Sequence, residues 1–253
     1  YIFLTTSFEK SPAAGNKAFS ANNRLLYMPS RNLDTALIAP DNTLRALHEL
    51  RKNIQTALKS KLFPKGPPYF KIEGLALRSD SSMMLGISKT GAAARNAKPT
   101  AVILEADYYI THDGRLLLTS SFRESYRLRF DNYPNLEKNL FLSGLEYDRY
   151  NDAVYILTAY KNGPRAKDAG GYLWHLSTED YLLHRPANLV YRAPKVPLEF
   201  AHLPSGITTV DDEKIIIICN DGRILGEEII KDARKEFHRE LNQAGYYSVK
   251  INR

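Results

Sequence analysis

Cysteine is nearly absent from this chain: Cys219 is the only one among 253 residues. A single cysteine excludes an intramolecular disulfide and a zinc site built on cysteine pairs. It follows the run Ile215 to Ile218, which is typical of a buried strand, where a thiol behaves as a small hydrophobic side chain. One cysteine fits a reducing compartment as well as a periplasmic or secreted protein that uses no disulfides, so cysteine content leaves the compartment open.

Long apolar runs and blocks of like charge are also missing. No run approaches the roughly 18 residues of a membrane span, so no transmembrane segment is predicted. The 35 Lys and Arg residues exceed the 28 Asp and Glu residues by seven, but they are spread along the chain. Because nucleic-acid-binding arms concentrate their basic residues in blocks, the charge indicates a soluble basic surface, and no nucleic-acid partner is expected.

Local catalytic signatures are absent too. The chain has no phosphate-binding glycine loop, no His-Glu-x-x-His motif and no Gly-x-Ser-x-Gly elbow. Gly170-Gly171 lacks the required spacing, and the six histidines are scattered. Ser205 lies near His202, which suggests a nucleophile, but a polar residue at the start of a strand is the simpler interpretation. No cofactor is predicted.

Aromatic residues and a repeated pattern favour strands. The sequence has 16 Tyr and 10 Phe, residues that suit half-buried pleated surfaces. Three segments share a pattern of an apolar strand with glycine near its start, a polar turn and a second apolar strand. Their glycine-bearing strands are 72–77, 142–147 and 204–209, and their second strands are 83–87, 153–157 and 214–219. These units predict equivalent hairpins.

The spacing within these units supports the repeat. Leu85, Tyr155 and Ile217 each follow their glycine by eleven residues, and apolar residues recur two positions later, as one face of a strand requires. The glycines lie 70 and 62 residues apart. This separation is wide for a propeller blade but possible with long connections.

A second repeat involves 4–8 and 118–122, which read Leu-Thr-Thr-Ser-Phe and Leu-Thr-Ser-Ser-Phe. Each continues into an Arg-Leu strand, at 24–27 and 127–130. Further strands are predicted at 101–110 and 115–120, joined by an Asp-Gly turn, and at 171–176, 188–192 and 246–251. The last of these can pair with an N-terminal strand and so close a ring.

Two segments have helical periodicity. The first covers 43–62, capped by Asp41 or Asn42, with apolar Leu47, Leu50, Ile54, Ala57 and Leu58 on one stripe and Arg45, Arg51, Lys52 and Lys59 around it. The second covers 227–244 and ends at Gly245. Both are expected to lie against a sheet as insertions, although a basic amphipathic helix can also recruit a partner or a membrane.

Together these patterns predict one all-β domain over 1–253, a β-propeller of about five blades with two inserted helices. The first residue, Tyr1, lies inside a predicted strand, so we expect an upstream segment, such as a signal peptide or anchor with an earlier strand. A periplasmic or secreted location is slightly favoured over a cytoplasmic one.

The phrases at 72–76 and 203–212 resemble bacterial propellers of unknown function in which Glu-Gly-Leu or Glu-Gly-Ile opens successive blades, and the related esterase-like phytase propellers. The Ser-bearing strand at 4–7 and the Arg-Leu pair at 24–25 also resemble the first group. The chain departs from this pattern where Ser143 and Ser205 replace the acidic residue, and where Ser88-Lys89-Thr90-Gly91 replaces an Arg-containing loop. The resemblance implies a propeller fold and suggests hydrolysis of phosphate or carboxylic esters.

Candidate site residues follow from propeller geometry, because equivalent strand ends converge around a central channel. The starts of the glycine-bearing strands contribute Glu73, Ser143, His202 and Ser205. The exits of the second strands contribute Ser88, Lys89, Thr158, Tyr160, Asn220 and Asp221, together with Ser7 and Ser121.

The main functional hypothesis is that this channel face binds a small ligand or a protein partner. The alternative is an ester hydrolase that uses a divalent cation such as calcium, held by Glu73 and Asp221 if a metal binds at all. Glu73 also has a structural interpretation, in which it pairs with an arginine of a neighbouring blade or accepts backbone N–H bonds. A third hypothesis gives the helix at 43–62 a role in partner recruitment.

Overall fold

A computed structural model describes residues 1–31, 36–39, 43–79, 81–163, 168–219 and 245–251. The chain divides into two compact units, Tyr1–Arg127 and Leu128–Arg253, each with sheets and a core of its own. Whether the two units form one domain, as predicted for 1–253, depends on how they are joined, so that point stays a prediction. Within the described ranges, no helix is long and apolar enough to cross a membrane.

The first unit contains two antiparallel sheets. One has the order β1-β2-β3, formed by Ile2–Thr5, Leu25–Met28 and Leu37–Ala39. The other has the order β4-β5-β6, formed by Tyr69–Ser79, Ser82–Gly91 and Lys98–Ile110, and two short strands, β7 (Leu116–Leu118) and β8 (Arg123–Arg127), also pair with β6. Helices α1 (Asn16–Asn22) and α2 (Leu44–Ala57) and two 3₁₀ turns, Pro12–Ala14 and Ala94–Asn96, complete the unit.

The second unit has two further antiparallel sheets. The first contains β9 (Phe141–Asp148), β10 (Ala153–Lys161), β11 (Ala169–Ser177) and β12 (Asn188–Leu189), with β15 (Glu199–Phe200) also paired to β11. The second contains β16 (Pro204–Thr209), β17 (Lys214–Cys219) and β18 (Gly245–Lys250). A short helix, α3 (Thr178–Leu182), lies between β11 and β12 in sequence, and a ribbon of β13 (Tyr191–Ala193) and β14 (Val196–Pro197) lies between β12 and β15.

These four sheets, two in each unit, are built from strands that follow one another along the chain. This is the strand organisation of propeller blades, so the predicted all-β propeller class with a few helices is confirmed. The described residues form four such sheets, against about five predicted from the sequence. The strand at 246–251 is found as β18, paired with β17.

The three glycine-led hairpins are present as predicted, and their registers can be compared directly. Gly74 pairs with Gly86 and Gly206 with Ile218, twelve residues further on in both cases. Gly144 pairs with Leu157, thirteen residues further on. The middle hairpin therefore has one residue more in its turn, and the eleven-residue spacing marks equivalent pairs only in the other two.

The second repeat is only partly equivalent in structure. After 4–8 the chain forms β2, which pairs with β1, whereas β7 and β8 both pair with β6 and not with each other. Asp107 binds the segment between them, because its carbonyl accepts from Thr119 N at 2.8 Å and its amide donates to Ser120 Oγ at 2.8 Å. What the two segments share is a buried phenylalanine, Phe8 and Phe122, in the core of the first unit.

Helix α2 is shorter than predicted. Thr43, not Asp41 or Asn42, is the N-cap, and its side chain accepts from Ala46 N at 3.2 Å. The helix stops at Ala57 with Leu58 as C-cap, because the turns before Pro64 already leave the helical path. Arg51 was expected among the solvent-facing charges but is 3 % exposed. The predicted helix at 227–244 lies outside the described residues.

The core of the first unit explains the position of α2. Leu50 and Ile54 of the helix are buried against Phe70 and Ile72 of β4 and Leu85 of β5. Each such side chain stabilises the fold by about 1.5–3 kcal/mol relative to an exposed one. The apolar stripe of α2 is therefore part of the core, as the helical periodicity predicts.

Candidate functional site

The three glycine-led hairpins carry a β-bulge at the same place. In each, the register skips the residue before the glycine, so that two residues of the first strand face one residue of the second. The skipped residues are Glu73, Ser143 and Ser205. Because a bulge re-aims a side chain and is common beside functional sites, these three equivalent positions are candidates for a binding site.

The two serines of this set bind the backbone of their own hairpins. Ser143 Oγ donates to Leu157 O at 3.3 Å, and Ser205 Oγ donates to Ile218 O at 3.4 Å. In both hairpins the acceptor belongs to the residue that faces the glycine. The hydroxyls thus have a structural role, although the sequence places Ser143 and Ser205 among the candidate site residues.

Glu73 differs because an ionised carboxylate has no proton to donate to a carbonyl. Its Oε1 instead accepts from Lys71 Nζ at 2.6 Å, and Lys71 Nζ also lies 3.1 Å from Glu9 Oε1. Its Oε2 is buried and has no hydrogen-bond partner among the described residues. We call Glu9, Lys71 and Glu73 the Glu73 cluster. The expected partner of Glu73 was an arginine or a backbone N–H group, and the structure shows a lysine on the same strand instead.

The electrostatics of the Glu73 cluster hold Lys71 in its charged form. Burial opposes the charge on Lys71, but the carboxylates of Glu73 and Glu9 outweigh it, so the pKa of Lys71 is raised. Burial and, next, Glu9 raise the pKa of the adjacent Tyr69. The cluster therefore has one lysine cation between the carboxylates of Glu73 and Glu9, with the protonated hydroxyl of Tyr69 beside it.

Two further predicted residues of the first unit, Ser88 and Lys89, lie at the same place. Ser88 is fully buried, forms a bulge on β5 and donates from Oγ to Lys71 O at 3.3 Å. Lys89 is half-buried and faces Lys71 in the β4–β5 register. Three residues predicted from strand ends, Glu73, Ser88 and Lys89, thus surround one lysine.

In the second unit, Tyr160 is buried and its hydroxyl donates to Glu199 Oε1 at 2.6 Å. Burial, followed by Glu199, raises the pKa of Tyr160 above its usual range. Burial and then Glu199 also raise the pKa of the neighbouring Tyr172, to about 12. Both phenols are therefore protonated donors at neutral pH, and the sequence alone gave no indication of Glu199.

Two glycines of β11, Gly170 and Gly171, allow this strand to lie close to Tyr160 and to the start of β16. A Cβ on Gly170 would lie 2.6 Å from Tyr160 Oη, and a Cβ on Gly171 would lie 2.5 Å from Pro204 Cγ. Only glycine lets β11 approach Tyr160 and the start of β16 so closely. His202, which is 6 % exposed, and the exposed Ser205 lie beside that start.

Of the two residues predicted to hold a metal ion, Glu73 lies within the described residues and Asp221 does not. Asn220 and Asp221 lie outside the described residues, so the pairing of Glu73 with Asp221 stays a prediction. Among the residues that the structure does describe, no three His, Cys, Asp or Glu side chains are grouped to hold a metal ion.

Two residues of the Glu73 cluster were missed at the sequence level. Lys71 and Glu73 share a strand face two residues apart, and that spacing could have indicated the pair. Glu9 follows β1 in an irregular segment, and nothing local in the sequence places it beside β4. Ile72 N donates to Ser7 O at 2.9 Å, which shows how the segment is held there.

No protein-family model matches the chain, and no curated protein matches it at a significant level. The propeller-like strand organisation therefore rests on the geometry of the sheets. The resemblance to bacterial and esterase-like phytase propellers stays a prediction.

Proposed function

We propose that this protein binds a polar ligand at the bulged part of the β4–β5 hairpin that carries Glu73, Ser88 and Lys89, without catalysing a reaction on it. The observation that supports this is the buried Oε2 of Glu73, which has no donor among the described residues. Leaving such an acceptor unsatisfied costs about 1–3 kcal/mol. A ligand that brings an N–H or O–H group removes that cost on binding.

The carboxylate is reachable although one oxygen is buried. The side chains of Glu73 and Lys71 are each 25 % exposed, so a ligand can approach the ion pair from solvent. Oε1 is held by Lys71 and Oε2 is buried, so a ligand donor reaches Oε2 when the carboxylate turns part of the way and brings that oxygen to the exposed side, while Oε1 keeps Lys71.

The charges around this place indicate the type of ligand. Glu9 and Glu73 carry two negative charges, and Lys71 and Lys89 carry two positive charges, so the group has no net charge. A neutral or zwitterionic ligand with several hydrogen-bonding groups, such as a sugar, a polyol or an amino acid, suits it better than a strong ion. A protein partner that presents such groups is the macromolecular form of the same hypothesis.

The repeat itself supplies the test variant. Glu73→Ser installs the residue that the equivalent bulges carry at 143 and 205, so its hydroxyl can donate to Gly86 O and the hairpin is expected to fold. Ser205→Ala is the matched control, because it changes an equivalent bulge without touching Glu73. Thermal unfolding is measured against a panel of sugars, polyols, amino acids and CaCl₂.

A compound that stabilises the wild type and Ser205→Ala but not Glu73→Ser is the expected result. The proposal is wrong if no compound in the panel stabilises the wild type, or if Glu73→Ser responds equally.

The alternative is a hydrolase of phosphate or carboxylic esters. It is tested by assaying p-nitrophenyl phosphate and p-nitrophenyl acetate with CaCl₂ present and by metal analysis of the purified protein. We expect equal, background turnover from the wild type and Glu73→Ala. Turnover that falls about a hundredfold in the variant, the size typical of losing a general acid or base, would replace the binding proposal with the hydrolase.

A further inference from the structure

A cavity of about 620 Å³ lies in the first unit between α2 and the segment around 64–68. Its size falls within the roughly 300–1,000 Å³ of small-molecule sites. It is lined by Arg51, Lys52 and Lys59 from α2 and its C-terminal end and by Lys65 from the facing segment. This cavity is separate from the Glu73 cluster, since their lining residues do not overlap.

The positive charge of the cavity is not balanced by its own acidic residue. Glu49 is the acidic side chain of the lining, and its carboxylate already lies 3.0 Å from Arg45 Nε. Lys52, Lys59 and Lys65 make no ion pair with any described residue. Lys52 lies on α2 and Lys59 follows its C-cap, and both line the cavity.

Arg51 gives the cavity a fixed positive charge at its base. The side chain is 3 % exposed, and it donates only to neutral oxygens: Phe8 O at 2.5 Å, Asn23 Oδ1 at 2.7 Å and Pro68 O at 3.0 Å. Its guanidinium lies 4.3 Å from the ring centre of Phe70. No described carboxylate neutralises it.

The protonation state and free donors of Arg51 complete the picture. Burial lowers the pKa of Arg51 to about 10, so it stays charged at neutral pH. Its three hydrogen bonds use both hydrogens of one terminal nitrogen and one of the other, and its Nε makes no hydrogen bond with the described residues. Planar guanidinium donors and mobile lysine charges are the groups with which proteins bind phosphate.

We propose that this cavity binds a small soluble ligand that carries two or more phosphate groups. Four cationic side chains in one concavity exceed what a single carboxylate needs, and they match the several charges of a diphosphate. The concave shape also distinguishes it from the extended basic stripe that a nucleic acid follows.

The full chain is titrated calorimetrically with pyrophosphate, ATP and citrate at about 50 mM salt, where surface charges act over longer distances than at physiological salt. The test variant is Lys52→Glu/Lys59→Glu, whose two positions are exposed. The matched control is Lys17→Glu/Lys61→Glu, which makes the same change of charge at exposed positions of the same unit outside the lining. Lys65→Glu tests the opposite wall and serves as the second variant if the first fails to fold.

We expect pyrophosphate or ATP to bind with a Kd below about 1 mM, to weaken at least about tenfold in the test variants and to weaken less than about twofold in the control. Absence of binding, or equal weakening in the control, overturns the proposal. Citrate that binds as tightly as pyrophosphate overturns the assignment to phosphate. Binding to phosphatidylserine vesicles without binding to the soluble phosphates overturns the assignment to a small ligand.

Discussion

Substitution of Gly171 by alanine adds one methyl group where β11 has no room for it. The new Cβ would lie 2.1 Å from Thr158 O and 2.5 Å from Pro204 Cγ. Ordinary contact begins near 3.4 Å, so backbone must move by more than an ångström. Thr158 is a poor residue to displace, because its Oγ1 also accepts from the buried Trp174 Nε1 at 2.9 Å.

The magnitude follows from these contacts. Overpacking a well-packed interior destabilises by about 1–3 kcal/mol, and loss of one hydrogen bond adds about 1 kcal/mol. We therefore expect Gly171→Ala to lower the free energy of unfolding by about 2–4 kcal/mol. At about 2–4 °C per kcal/mol for a chain of this size, Tm falls by roughly 5–15 °C.

The assay is urea unfolding followed by far-ultraviolet circular dichroism, with Gly206→Ala as the control. A Cβ on Gly206 meets its nearest atom, Ile218 Cβ, at 3.8 Å. Alanine there lowers the entropy of the unfolded chain without a clash, so we expect a change between zero and a gain of about 1 kcal/mol. A loss below about 1 kcal/mol for Gly171→Ala, or an equal loss in both variants, would refute the steric reasoning.

Three further substitutions test other contacts. Arg51→Lys removes the planar donors that join three backbone and amide oxygens, so we expect a loss of about 1.5–3 kcal/mol of unfolding free energy, and an unchanged urea midpoint would contradict this. Thr43→Ala removes the cap of α2 and should cost about 1 kcal/mol, measured as a fall in Tm, with no fall as the contrary result. Burial lowers the pKa of His175 below 6.5, so the unfolded state binds more protons and stability falls as pH drops through that value. In His175→Gln the urea midpoint should therefore change less than in the wild type between neutral pH and pH values about one to two units below 6.5. An equal change of the midpoint with pH in both proteins would count against this reasoning.

The hairpins could be predicted because their determinants are local. The strands at 72–77 and 83–87 are apolar and lie on either side of a polar turn, and the same holds for 142–147 and 204–209. The bulges could not be predicted, because a Ser-Gly or Glu-Gly step has the same composition whether the register skips a residue or not. The sequence repeat aligns Glu73 with Ser143 and Ser205, but only the cross-strand registers reveal that all three occupy bulges.

Arg51 shows a different limit. Its position, four residues after Leu47 and three before Ile54, places it on the apolar stripe of α2, but a charged residue type favours the solvent. The acceptors that make its burial possible belong to Phe8, Asn23 and Pro68. Because these acceptors come from three separate parts of the chain, no local sequence pattern predicts the burial of Arg51.

The candidate site follows the same division. Glu73, Ser88 and Lys89 were found because the repeat aligns them beside the paired apolar segments, although β4 and β5 extend past the predicted ends, to Tyr69 and Gly91. Glu9 and Glu199 were not, because each lies outside the repeated hairpins and reaches its partner through an irregular segment or a two-residue strand.

Every described sheet takes all its strands from its own unit, and most neighbours in a sheet are also neighbours in sequence. Closing such hairpins orders only short lengths of chain, so the entropy lost before the first contacts form is small. No described strand among 1–127 pairs with a described strand from 128 onwards. As the polypeptide leaves the ribosome, its first two sheets can thus pair their edges before the second half is translated, which shortens the time during which β4 to β6 expose apolar surface to other chains.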